Sequence, residues 1–256
     1  MNKNKKIYQK YIDDLIGFSS KKTEARFAAF QLLEMYEEVL RLPHATVLEL
    51  GVDRGQSTKV FLNALDQKPS SQLISIDIRN CKDVSDSDMW TFIQSDSADV
   101  KNIVDAAPIL KDGIDVIYID SLHTSEHVYK EIFGWFPYLK KGGVVYFDDV
   151  DTGPYLMGQR KDSLVTEIAN RKIHDLIEAV FRSNMDKINL NIHYGSTGLG
   201  RFEKVSDIGS TLNTPLYVRK RNRKIFWRLI NLVFRRGQYK HSQTTNESFL
   251  IDVTKY

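Results

Sequence analysis

One cysteine, Cys81, stands in the 256 residues, so no disulfide forms within the chain. That removes the small disulfide-stapled scaffolds and fits a reducing compartment. No apolar run comes near the roughly 20 residues that span a bilayer. Met1 to Leu15 is polar and charged, without the apolar stretch of a secretory leader, so a cytoplasmic location is expected. Two nucleotide-binding signatures are also missing. There is no Gly-x-Gly-x-x-Gly, which disfavours a dinucleotide dehydrogenase, and no Gly-x-x-x-x-Gly-Lys-[Ser/Thr] phosphate loop. No internal repeat is found.

What is present is an ordinary globular composition, 42% hydrophobic and 27% charged, in a length that suits one α/β domain with an appendage. The net charge of +3 hides an asymmetry. Between Asp207 and Glu247 there is no acid but nine of the 36 basic residues, so the rest of the chain carries 27 basic against 33 acidic side chains. An acidic body bears a basic tail.

Hydrophobic periodicity divides the body. Phe27, Phe30, Leu33, Tyr36 and Leu40 recur at helical spacing and predict a helix over Thr23 to Leu42, ended by Pro43; a shorter helical pattern precedes it around Tyr8 to Ile16. Strands are then expected at Thr46–Leu50, Leu73–Ile78, Thr91–Gln94, Val116–Ile119 and Val144–Phe147. Helices are expected at Gln56–Leu65, Asp99–Leu110, Ser125–Leu139 and Leu164–Phe181. Thr124 or Ser125 is a suitable N-cap for the third of these. Helical segments between strands imply crossovers and a parallel sheet. Ile188–Tyr194 and Leu199–Lys204 are joined only by Gly195-Ser196-Thr197-Gly198, so that pair is expected to be antiparallel. The organisation expected is an N-terminal helical cap over 1–45, an α/β domain over 46–204 and a basic extension over 205–256.

Buried strands that end in Gly turns and carboxylates build a ligand crevice at the C-terminal edge of such a sheet. In Glu49-x-Gly51-x-x-x-Gly55, Gly51 lets a ligand approach the backbone, and the helix after Gly55 offers unpaired N–H groups. Asp77, at the end of the second strand, stands where an acid bonds a ribose diol. Asp96 and Ser97, after the third, are placed to meet an adenine edge. A Gly pair after a strand is by itself only a tight connection; the ordered set with Asp77 and Asp96 is more telling.

A second constellation lies farther along. Asp120 ends the fourth strand, and Asp148 and Asp149 end the fifth. Neighbouring strands lie about 4.8 Å apart, so these carboxylates can converge on one ion. Without a cation they would raise one another's pKa. Oxygen donors favour Mg²⁺, Mn²⁺ or Ca²⁺ over Zn²⁺. The plainer alternative is that Asp148 and Asp149 cap a loop and never share a site with Asp120. His123, three residues past Asp120, reaches the same crevice as a candidate general base, its neutral form favoured by a neighbouring cation.

The segment Glu49-Leu-Gly51-Val-Asp-Arg-Gly55, with Asp77, Asp96 and Lys140-Lys141-Gly142-Gly143, resembles class I S-adenosylmethionine (SAM) dependent methyltransferases, with Lys141 in place of the usual proline. The likeness covers about 46–204. Ile119-Asp120-x-x-His123, then Trp135, then Gly142-Gly143 and Asp148-Asp149 resembles the metal-dependent sugar O-methyltransferases of macrolide biosynthesis and the cephalosporin hydroxylase-like group. The resemblance implies a Rossmann-like, doubly wound, seven-stranded, mostly parallel sheet with an antiparallel last strand. It implies SAM held by Glu49, Gly51, Gly55, Asp77, Asp96, Ser97 and Asp120, Mg²⁺ held by Asp120, Asp148 and Asp149, and His123 as base. The expected acceptor is a hydroxyl of a sugar or other polyhydroxylated small molecule. Two rivals are a same-fold protein of different, hydroxylase-like chemistry and a membrane- or partner-binding protein with a vestigial site.

The tail adds a separate expectation. Over 217–240, Lys224, Arg228, Asn231 and Arg235 share a helical face, and Ile225, Phe226, Trp227, Leu229, Ile230, Leu232, Val233 and Phe234 fill the rest. This suits an anionic membrane surface, the protein's own body or a second copy of the chain; charge alone supports nucleic acid, which is disfavoured.

Overall fold

The computed structural model describes residues 3–16, 22–66, 68–156 and 164–216. The basic segment 217–240 lies outside the described residues. Two N-terminal helices, α1 (Lys3–Ile16) and α2 (Lys22–Arg41), precede an alternating series. It runs β1 (Thr46–Leu50), α3 (Gln56–Leu65), β2 (Gln72–Asp77), β3 (Trp90–Gln94), α4 (Val100–Ala106), β4 (Ile114–Ile119), α5 (Ser125–Trp135) and β5 (Leu139–Asp148). A single turn α6 (Gly153–Leu156), the long α7 (Leu164–Arg182) and the hairpin β6 (Ile188–His193) and β7 (Leu199–Lys204) complete it.

The seven strands form one sheet in the order β3-β2-β1-β4-β5-β7-β6. The first five are parallel, and β7 runs antiparallel to both β5 and β6. Alternation along β1 explains the layering. Leu48 and Leu50 join Ile74, Ile117, Ile119 and Phe147 on a face covered by α4, α5 and α7. Val47 joins Leu73, Val116, Tyr118 and Tyr146 on the opposite face, covered by α2 and α3. Each such aliphatic side chain, wholly enclosed, contributes ~1.5–3 kcal/mol relative to exposure. This is the doubly wound, Rossmann-like class.

Several boundaries differ from the periodicity, each for a local reason. The helix expected to reach Leu110 stops at Ala106, because Pro108 opens a separate 3-10 turn. The helix expected to reach Leu139 stops at Trp135, where Pro137 lies in another such turn. Leu139 already pairs with Ile114, and the chain bulges over Lys140–Gly143, with Gly142 at φ +79°, before Val144 pairs with Val116. Of the two caps considered, Thr124 is the one used: its side chain accepts from the His127 amide. The chain crosses from one side of β1 to the other between β3 and β4, which makes the tips of β1 and β4 the switch point where this architecture binds ligands.

Candidate active site

The loop after β1 is set by packing. Gly51 has φ +101°, and a Cβ there would collide with the backbone carbonyl of Asp120. Gly55 has φ +73°, and a Cβ would strike the Val84 side chain. Gly51 was expected to leave space for a ligand; the structure gives that space to the β4 backbone, so the glycine joins the tips of β1 and β4. Asp120 N also donates to Leu50 O at 2.8 Å.

Two acids fix this loop from below. Glu49 is wholly buried and accepts from Ser57 Oγ at 2.5 Å, Thr58 Oγ1 at 2.8 Å and Ser75 Oγ at 2.5 Å. Burial pushes its pKa up to about 7 in spite of the three hydroxyls. Expected to line the cofactor crevice, Glu49 instead ties the start of α3 to β1 and β2. Asp77 accepts from the amides of Val52 at 3.0 Å, Asp53 at 3.1 Å and Arg79 at 2.8 Å. Burial works to raise its pKa, but these amides and the Arg79 charge outweigh burial and lower it. Asp77 thus stands at the β2 tip, next to Ile78, which is 74% exposed. Asp96 is exposed in the loop after β3, whereas Ser97 is buried.

On the β4–β5 side, ligand atoms of Asp120, His123 and Asp149 all lie within 4.8 Å of one another. His123 Nε2 is 3.0 Å from Asp120 Oδ1, and Nδ1 contacts the Asp149 carboxylate. Hydrogen bonds to Asp120 and Asp149 raise the imidazole pKa to about 11. The neutral ring expected for His123 was tied to a neighbouring cation; facing the two carboxylates alone, the ring favours its charged form.

Asp148 lies beside this trio. Its Oδ1 accepts from Thr197 Oγ1 at 2.6 Å and from the Asp149 amide at 2.7 Å. Buried Tyr118 places its hydroxyl 3.1 Å from Asp148 Oδ2 and 3.2 Å from Asp120 Oδ2. A phenol has one proton, so two ionised carboxylates cannot both be satisfied by it. Burial first, then Asp120 and Asp149, push the Asp148 pKa up to about 7. Asp149 itself adopts φ +59°, which turns its side chain back from the strand tip toward His123.

Residues 48–150 match a family model described as a methyltransferase domain. That match runs from β1 to just past β5, the part of the sheet whose strand tips carry the site. No curated protein matches the chain in sequence. Among solved structures, the chain is similar to the mycinamycin-pathway methyltransferase MycE, in complex with Mg, SAH and mycinamycin VI, at 19% identity and TM-score 0.52 over 84% of this chain and 57% of that one. It thus spans little more than half of that protein. It is also similar to CalS11, a TDP-rhamnose 3'-O-methyltransferase of calicheamicin biosynthesis, at 19% identity and TM-score 0.50 over 76% and 86% of the two chains. A third is the SAH-bound Podospora anserina methyltransferase PaMTH1, at 12% identity and TM-score 0.51 over 80% and 88%. At these identities the likeness is one of fold.

Within the matched segment and in the long helix α7 beyond it, the structure adds residues that the sequence did not single out. Tyr118 reads as one more apolar strand position, and only the β4–β5 pairing brings its hydroxyl between two acids. Asn170 on α7 is wholly buried; its Nδ2 lies 3.2 Å from Asp151 O and 3.5 Å from Asp149 Oδ1. An amide on the buried face of an amphipathic helix was the available signal. Its Oδ1 has no partner among the described residues.

Proposed function

We propose that this protein is a SAM- and divalent-cation-dependent O-methyltransferase that acts on a hydroxyl of a sugar or other polyhydroxylated small molecule. The reading is carried by the meeting of Asp120, His123 and Asp149 at the strand tips, where the main chain of Asp120 itself packs on Gly51. The donors fit a hard cation: two carboxylates within reach of each other, the His123 ring between them, and the buried amide oxygen Asn170 Oδ1, which has no partner among the described residues.

Asp120 and Asp149 would hold Mg²⁺ or Mn²⁺, with Asp148 as a third carboxylate behind them. Bound there, the ion supplies Lewis acidity that lowers the pKa of an acceptor hydroxyl. SAM would lie over the Gly51 loop with its ribose at Asp77 and would supply an electrophilic methyl group. His123, held between Asp120 and Asp149, would take the hydroxyl proton as the O–CH₃ bond forms and the S–CH₃ bond breaks, leaving SAH. Tyr118 and Thr197 hold Asp120 and Asp148 in place for this step, and proximity supplies much of the rate.

Alongside this core, 1–45 is read as a helical cap, and 205–256 as an extension whose basic stretch docks at the inner face of a membrane or on a second copy of the chain. No helix among the described residues is long and apolar enough to cross a membrane.

The test has two stages. Calorimetry with SAH should show binding, and methyl transfer from labelled SAM to a panel of glycosides and nucleotide sugars should require Mg²⁺ or Mn²⁺ and stop in excess EDTA. Full transfer in EDTA removes the cation from the proposal, and no SAH binding removes the whole of it.

A further inference from the structure

The turn after β3 and the turn after β4 are separated by two strand tips, β2 and β1, yet one side chain joins them. Glu131 on α5 is wholly buried. Its Oε1 accepts from Ser97 Oγ at 2.5 Å and from Ser121 Oγ at 2.6 Å. His127, one turn earlier, places Nε2 3.3 Å from the same oxygen, 2.9 Å from Ser97 Oγ and 3.9 Å from Asp96 Oδ1. Trp135, one turn later, donates Nε1 to Ser97 O at 2.9 Å. One stripe of α5 therefore grips the Asp96–Ser97 turn by backbone, hydroxyl and carboxylate.

Stability alone does not account for this arrangement. Glu131 Oε2 is buried without a hydrogen-bond partner among the described residues, while Oε1 takes every donor. A buried carboxylate loaded on one side is costly, and an apolar side chain would fill the space more cheaply. What the acid alone supplies is a fixed distance between two turns that border the crevice above β1 and β2. With ribose at Asp77 on β2, the base of a nucleoside is directed outward, to the turn after β3.

We propose that Glu131, with His127, is a positioning element that sets the purine wall of the methyl-donor site and so its preference for adenine. It rests on the SAM reading above. Glu131 does not touch the nucleoside; it holds Ser97, Ser121 and, through His127, Asp96 where the edge of the base meets them.

The experiment compares SAH with S-inosyl-homocysteine, in which the 6-amino group is an oxygen, by calorimetry on the full chain. Wild type should prefer SAH. Glu131→Leu should weaken SAH about tenfold, the order expected from losing a few buried hydrogen bonds. It should weaken the inosyl analogue far less, so the ratio collapses, while Mn²⁺ affinity stays unchanged. Glu131→Gln keeps the shared acceptor oxygen and should retain most of the preference. An unchanged ratio in Glu131→Leu, or a loss that falls equally on both nucleosides, overturns the proposal. If that variant does not fold, Ser97→Ala/Ser121→Ala takes its place, and a wild-type ratio in the folded double variant overturns it equally. Wild-type protein that binds neither nucleoside would overturn the methyl-donor reading and this proposal with it; binding of SAH without a changed ratio would overturn this proposal alone.

Discussion

Asp149→Asn should abolish methyl transfer and divalent-cation binding together, and leave SAH binding near the wild-type level. Asp149 combines three properties: a buried carboxylate, contact with His123 Nδ1, and a left-handed backbone at φ +59°. Alanine would disturb the last as well as the first, since a Cβ-bearing residue without a local polar partner disfavours that conformation. Asparagine tolerates it, so this substitution removes the charge and leaves the turn. Loss of a Lewis acid is worth several kcal/mol in the transition state, and ~1.4 kcal/mol is tenfold in rate, so a fall in turnover of about a thousandfold is expected. Mn²⁺ binding followed by electron paramagnetic resonance, with SAH calorimetry on the same preparation, reads the two sites separately. A variant that binds Mn²⁺ as wild type does would remove Asp149 from the ion site.

Protein freed of divalent ions should become less stable as the pH rises from about 5 to about 8. The sign follows from two buried acids. Asp148 and Glu49 both have pKa values near 7, above the ordinary values of 3.8 and 4.5. A raised acid binds more protons folded than unfolded, so its stabilising contribution is complete below the ordinary value and lost as pH climbs through about 7. His123, at about 11 against 6.5, adds a decline in the same sense from about pH 6.5 upward. Asp77 acts oppositely, but only at the acid end, because its pKa is lowered from 3.8. A kcal/mol moves the melting temperature by ~2–4 °C in a domain of this size, so a drop of about 5 °C or more is expected in EDTA. Excess Mg²⁺ should flatten the part that belongs to Asp148 and His123 and leave that of Glu49. A melting temperature in EDTA that holds or rises over this range would show that these acids are not compressed as the geometry implies.

The order of strands and helices was legible because each has one period and clear stops: Pro43, Gly51-to-Gly55 and the Gly195–Gly198 turn each fall where an element ends. The two helices drawn too long both run into a 3-10 turn that keeps an apolar, helix-like pattern past the last true helical residue, with Pro108 and Pro137 as the missed marks. The candidate site was legible by position more than by role. Asp120, His123 and Asp149 could be placed together because strand tips of one parallel sheet converge. That His123 faces a carboxylate from each ring nitrogen could not be read, because this depends on distances that no spacing encodes. Gly51 and Glu49 were assigned to the ligand for the same reason: a sequence shows that a glycine is present, not whether a ligand or a neighbouring backbone takes the space. Asn170 and Glu131 sit on helices where polar residues are common, and only their burial and partners distinguish them.

The contact between Gly51 and the Asp120 carbonyl has a bearing on how such an enzyme changes its substrates. The pocket that would hold the sulfonium and the one that would hold the ion are mechanically a single piece, joined through main chain where no side chain can be trimmed to make play. Widening one drags the other out of line. A change of acceptor would therefore have to come from side chains that do not join β1 to β4, leaving that main-chain contact as it is.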